Sequence, residues 1–278
     1  AEGMVNNVTL KNYLQAISRA YHAVYSMQQS PECVVRKDFW GLREFYATVK
    51  FIAGRLQSVP KGEKVSVDGP MLLQAVLRNF GGYPQMTEEI QRIFFNEVGV
   101  EATEEEVNVT DLIRQNVADR DARHLMLLTK NSSALPILFD QQILSHQTCD
   151  IIIGSDFPLD QSDLQICHNI QRVKQKMQEG ATVVLLHCDN LYESLYDLLN
   201  QHYTEYGGQK YVRLAFGTHS RLCPVHDNFR AICIAEKKDA YEKLAPPLLN
   251  RFEKQVLQRT EILSKQNEEL LSSIEEFA

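Results

Sequence analysis

Asp189 is the residue whose setting most suggests chemistry. It ends the run Thr182–Val183–Val184–Leu185–Leu186–His187–Cys188–Asp189–Asn190, and Leu191, Leu195, Leu198 and Leu199 follow at helical spacing. The apolar and β-branched stretch 182–186 is too short for a buried helix and suits a strand buried on both faces of a parallel sheet. A carboxylate that ends such a strand lies where open α/β sheets bind ligands. The same Asp serves equally well as a cap for the following helix, worth about 1 kcal/mol. His219, Cys223 and His226 form a second group, with His187 and Cys188 at the neighbouring strand end. Cys-x-x-His plus a further His is a partial zinc-ligand set, giving a metal-binding alternative. Two arginines complete the candidates. Arg43 adjoins Glu44 and Trp40, and Arg251 lies close to Glu253; ion pairing and stacking on the indole are their structural uses.

The elements that must position these residues change character along the chain. Leu10, Tyr13, Leu14, Ile17, Tyr21, Val24 and Tyr25 predict a helix over 9–29. Phe39–Leu56 repeats the pattern, and segments 71–80 and 87–98 continue it around Gly81–Gly82 and Pro84. Residues 1–100 therefore read as all-helical, with the acidic stretch Glu101–Glu106 as a linker. Beyond residue 110 strands and helices alternate. Strands are expected at 124–128, 150–153, 182–190 and 229–235, with helices at 134–144, after the capping box Ser162-x-x-Gln165, and at 191–203. Gly207–Gly208 would stop the last of these. Tyr211–Phe216 and Leu222–Val225 read as a hairpin, Pro246–Pro247 as the start of a short helix to Phe252, and 260–276 as a final helix. Such alternation makes a parallel sheet with helices on both faces, an α/β fold behind a helical first domain.

The totals set limits. Hydrophobic content of 44% and charged content of 23% are those of a globular protein with a real core. A net charge of −7 argues against a nucleic-acid partner, because phosphate affinity needs clustered Lys and Arg. No apolar run approaches the roughly 18 residues of a transmembrane span. The six scattered cysteines read as reduced thiols, and the expected location is cytoplasmic. The chain lacks an initiator Met and looks like a piece of something longer.

Three runs resemble a known family. Val225–His226–Asp227–Asn228–Phe229–Arg230–Ala231–Ile232 resembles the entry to the sensor-1 strand of dynein- and midasin-like AAA+ modules. Pro247–Leu248–Leu249–Asn250–Arg251–Phe252 resembles the segment that carries their arginine finger. Phe39–Trp40–Gly41–Leu42–Arg43–Glu44–Phe45–Tyr46 resembles the lid helix with the sensor-2 arginine. With Leu191–Tyr192–Glu193–Ser194–Leu195–Tyr196–Asp197, Gly207–Gly208–Gln209–Lys210–Tyr211–Val212 and Gly217–Thr218–His219, the chain is similar to the mysterin family of giant RING-type E3 ubiquitin ligases with a dynein-like AAA+ ring.

The resemblance implies that residues 1–105 are the lid of one AAA+ module and 110–278 the large subdomain of the next. It also implies adjacent AAA+ modules of the same chain as partners, and ubiquitination machinery through the parent. No paired Cys-x-x-Cys occurs, so ligase chemistry is not expected in this piece. The family's phosphate-binding loop reads GxxxxGK[ST]. Here that position is Thr129–Lys130–Asn131–Ser132–Ser133–Ala134–Leu135, with no glycine between 124 and 139. Side chains obstruct the nest of backbone N–H groups that glycine leaves open. Lys130 comes too early for the motif lysine, and Asn190 stands where a Glu would polarise water. The expectation is a degenerate, non-hydrolysing module. It would bind no cofactor alone, and would lend Arg43 and Arg251 to the Mg-ATP of the preceding module. A passive scaffold that binds only its neighbours is the other alternative.

Overall fold

The computed structural model describes residues 2–57, 66–103, 107–216, 219–259 and 273. The chain divides into two compact units: residues 1–107 with 241–254, and residues 108–240 with 255–278. The segment 241–254 thus groups with the helices, whereas the sequence reading placed it in the second domain.

The first unit is helical. α1 (Glu2–Gln29), α2 (Leu42–Gln57), α3 (Gly69–Asn79) and α4 (Thr87–Val98) lie where the apolar spacing sets them. The Asp68 carboxylate caps α3 by accepting the Met71 N–H, and Pro70 fits the first turn, where no amide donor is needed. Phe39, Trp40, Phe80 and Tyr83 make an aromatic core, with Phe39 edge-on to both Trp40 and Tyr83. Tyr241 stacks on Tyr83 at 3.9 Å between ring centres, and its hydroxyl donates to the Gly82 carbonyl.

The second unit is built on a five-stranded sheet. Its strands are β1 (Leu125–Thr129), β2 (Cys149–Ile153), β3 (Thr182–Leu186), β7 (Arg230–Glu236) and β8 (Glu253–Val256, of which Glu253 and Lys254 are grouped with the first unit), in the order β2-β3-β7-β1-β8. β2, β3, β7 and β1 pair in parallel, with Leu186 opposite Ile234 and Thr129 opposite Glu236. Leu125, Leu127, Val184, Leu186, Ile232 and Ile234 form one apolar face, against which α5 (Val109–Ala118) sets Ile113 and α6 (Ala134–Asp140) sets Ile137 and Leu138. α7 (Asp163–Glu179) begins at the expected Ser162 cap and buries Ile170, Val173 and Met177. The α/β class is as the alternation required.

Four local features differ from expectation. The helix over 191–203 is broken into a 3-10 turn at Asp189–Leu191 and a single turn, α8 (Tyr196–Leu199). The apolar residues bury as their spacing predicted, but the Ser194 carbonyl, which a continuous helix would need, accepts the Ala215 N–H instead. Gly207–Gly208 stops no helix: it turns β4 (Thr204–Tyr206) into β5 (Gln209–Phe216), with φ of 57° and 78°. Two successive positive φ angles are what a two-residue hairpin demands. β6 (His219–Val225) completes this antiparallel sheet. The strand β8 gave no signal, because Glu253, Lys254 and Gln255, three of its four residues, are polar although all four are buried. α5 lies beyond the acidic stretch Glu101–Glu106, where the sequence reading set no element. The helix expected over 260–276 falls outside the described residues. Among the described residues no helix is long and apolar enough to cross a membrane.

Candidate functional site

The loop after β1 is the centre of the candidate site. Thr129 is buried at the strand end, Lys130 is exposed, and the chain then turns into α6. Asn131 and Ser132 both adopt left-handed backbone, with φ of 55° and 53°. For residues with a Cβ this costs about 1 kcal/mol each or more, and needs compensation. The compensation is Glu236, which β7 sets opposite Thr129. Its two carboxylate oxygens accept the Ser132 N–H at 2.8 Å and the Asn131 N–H at 3.1 Å. Two donors on one carboxylate form a charge-assisted pair.

The remaining amides of the loop are also taken. Ser133 N–H donates to the Lys130 carbonyl (3.3 Å), and Leu135 N–H to that of Ser132 (3.4 Å). Ala134 N–H donates to Thr129 Oγ1 at 3.0 Å, and Thr129 Oγ1 and Ser133 Oγ share a hydrogen bond of the same length. From the opposite side His187 Nε2 meets Ser132 Oγ at 2.9 Å, with His187 itself at φ 54°. Every backbone donor from 131 to 135 has an intramolecular acceptor.

Asp189 is exposed and opens the 3-10 segment, directly after Cys188. Asn190 Nδ2 donates to Gln161 Oε1 at 3.2 Å. In the sheet β7 lies between the strands that end at Thr129 and before Asp189, so the 129–135 loop and Asp189 flank the β7 end that carries Glu236.

In the helical unit, Arg43 Nη1 approaches the Pro247 carbonyl at 3.4 Å. Pro247 belongs to the single helical turn Pro246–Leu249, and Arg251 follows that turn with 6% exposure. The structure therefore brings Arg43 and the Arg251 segment into one unit, but Arg251 is buried. Two ion pairs hold the segment. Arg78 on α3 meets Glu253 at 3.0 Å, and Lys254 meets Glu44 on α2 at 2.6 Å. Asn250 Nδ2 adds a bond to the Asp38 carbonyl, and Arg36 donates to that of Leu244.

The zinc alternative is not assembled. Cys223 is buried on the inner side of β6, His219 is exposed at the strand's start, and the His226 Nδ1 accepts the Asn228 N–H. Among the described residues no group of three or more His, Cys, Asp or Glu side chains could hold a metal ion. Burial, with Arg230 beside it, lowers the pKa of His124 to about 3, and burial raises Cys188 to about 11. Both groups therefore stay neutral near pH 7. Arg230, from the run Asn228–Phe229–Arg230, donates to the Ala122 carbonyl at 2.8 Å within the second unit.

Sequence reasoning missed Glu236, Glu44, Arg78 and Lys254. Glu236 carried one legible signal, an acid at the end of a buried strand; the others lie on elements without a polar pattern that announces burial.

Residues 114–263, more than half of the chain, match a family model described as the RNF213 AAA domain. The chain is 39% identical over 286 aligned positions to the E3 ubiquitin-protein ligase RNF213 of Homo sapiens, covering 96% of this chain and 5% of the relative. The Mus musculus protein of that name is 37% identical over 97% of this chain and 5% of its own length. The Danio rerio E3 ubiquitin-protein ligase rnf213-beta is 36% identical over 87% of this chain and 5% of its own. The chain thus spans about 5% of the length of these relatives. With an α/β sheet of the expected class behind a helical unit, the chain belongs to the RNF213 AAA domain family.

Proposed function

We propose that this chain is a structural, non-hydrolysing module of the AAA ring of an RNF213-like E3 ubiquitin ligase, with residues 1–105 the lid of the preceding module. The observation that carries the reading is the Glu236 carboxylate on the Asn131 and Ser132 amides. A triphosphate would need those donors, and the amides of Ser133, Ala134 and Leu135 are already bonded within the loop. The residues present therefore do not fit Mg-ATP in this module, and the nucleotide concerned is the one held by the preceding module. Arg43, partly exposed beside the Pro247 carbonyl, is the side chain offered to it. Arg251 follows the same turn and is offered with it. A cationic side chain at a transferring phosphoryl group is worth roughly 10³-fold or more in rate.

A second reading, a scaffold that touches no nucleotide, is favoured by the 6% exposure of Arg251. ATP turnover by the intact parent ring separates the two. On the first reading Arg43→Ala and Arg251→Ala slow turnover at least tenfold with an unchanged melting temperature. On the second, turnover is unaltered, or falls only in step with lost stability. Calorimetry on the isolated chain tests the non-hydrolysing assignment: micromolar, magnesium-dependent ATP binding at the 129–135 loop would overturn it.

A further inference from the structure

We propose that Glu236 is a tethered anion that permanently replaces a phosphate group in the loop at 129–135, so that the module keeps its loop folded without a nucleotide. The inference rests on the non-hydrolysing reading and adds the residue that makes it structurally possible.

The N–H groups of Asn131 and Ser132, both in left-handed backbone, lie close enough to bond one carboxylate and so make a small concavity for an anion. In this chain the concavity already contains one, with a separate oxygen on each N–H. The anion comes from a fixed position, the end of a central parallel strand, where the register sets Glu236 directly opposite Thr129. A tethered group has little translational freedom to lose, so it outcompetes a dissolved anion for the same two donors. Its charge also repels a second anion at contact distance. The left-handed backbone at Asn131 and Ser132 is tolerated in return for these two bonds. His187 secures the Ser132 hydroxyl from the other side.

The test compares the 278-residue chain with its Glu236→Ala and Glu236→Gln forms, using inorganic phosphate at constant ionic strength as the probe. Glu236→Ala should melt about 2–6 °C lower, and Glu236→Gln, which keeps one acceptor oxygen, by less. Hydrogen exchange of the Asn131 and Ser132 amides should accelerate at least tenfold in Glu236→Ala. Phosphate at about 10 mM should slow exchange again in the variant and leave wild type untouched. Glu236→Gln folds with the same strand and supplies the exchange measurement if the Ala form does not fold. Unchanged exchange at both amides, or an equal phosphate effect on wild type and variants, overturns the inference. The functional reading fails by a different result, magnesium-dependent ATP binding by wild type.

Discussion

Lys254 Nζ lies 2.6 Å from Glu44 Oε1, and neither side chain is reached by water. The ammonium also sits 4.9 Å from the centre of the Phe39 ring, and the second Glu44 oxygen accepts the Gly41 N–H at 2.8 Å. In such surroundings a lone charge is far costlier than the pair. Lys254→Met should therefore lose about 3–5 kcal/mol in urea unfolding. Adding Glu44→Gln, which keeps an acceptor for Gly41 and removes the stranded charge, should recover most of that loss. Equal stability of the single and double variants would show that the pair is uncoupled.

His124 gives a pH dependence with a definite sign. Its Nδ1 accepts the Ala231 N–H, its ring packs edge-on to Phe229, and burial holds the folded pKa near 3, against about 6.5 when exposed. Between those values the unfolded chain binds the extra proton and the folded one does not. The contribution is thus fully present above pH 6.5 and is lost as pH falls toward 3, by up to about 1.4 kcal/mol per pH unit. Chemical unfolding at pH 7, 6 and 5 should show the decline, and His124→Gln should flatten it. A slope unaltered by the substitution would assign the decline to other groups.

Gly154 leaves β2 so close to the next strand's exit that an added Cβ would fall 2.0 Å from the His187 carbonyl oxygen. Its own N–H donates to the Leu186 carbonyl, so the backbone cannot withdraw cheaply. Gly154→Ala should destabilise the chain by about 1–3 kcal/mol, the usual range for overpacking. Because His187 also reaches Ser132, amide exchange in the 130–134 loop should rise as well. A variant as stable as wild type would mean that the strand ends part without cost.

Gly207 has open space around its Cα, and only its φ of 57° restricts it. Gly207→Asn should stay within about 0.5 kcal/mol of wild type, because Asn tolerates left-handed backbone, while Gly207→Val should cost about 1–2 kcal/mol. Thermal melts of the pair measure the difference directly. Similar melting of both would imply that the hairpin turn is not held in this form.

Much of the fold was legible because burial is written as periodicity. Ile232 and Ile234 alternate with Cys233 in an unbroken apolar run, and α7 repeats Ile170, Val173 and Met177 at helical spacing. Where a residue's environment comes from distant partners, the pattern says little. Glu253 and Lys254 look like a solvated pair, and only Arg78 and Glu44, some 175 and 210 residues away in sequence, make them interior. The missing glycines of the 129–135 loop were plain in the sequence. What fills the loop was not, since Glu236 lies 104 residues beyond Ser132 and reaches it through strand register alone.

The assignment of 241–254 to the helical unit has a practical meaning for dissection. Neither unit is one continuous stretch of sequence. A truncation after residue 107 would strand Glu44 and Arg78 in an apolar interior with no counter-ion, and a piece beginning at 108 would carry Glu253 and Lys254 away from theirs. Borders drawn along the linear sequence would yield two unstable halves, so the smallest sound unit for biochemistry spans both.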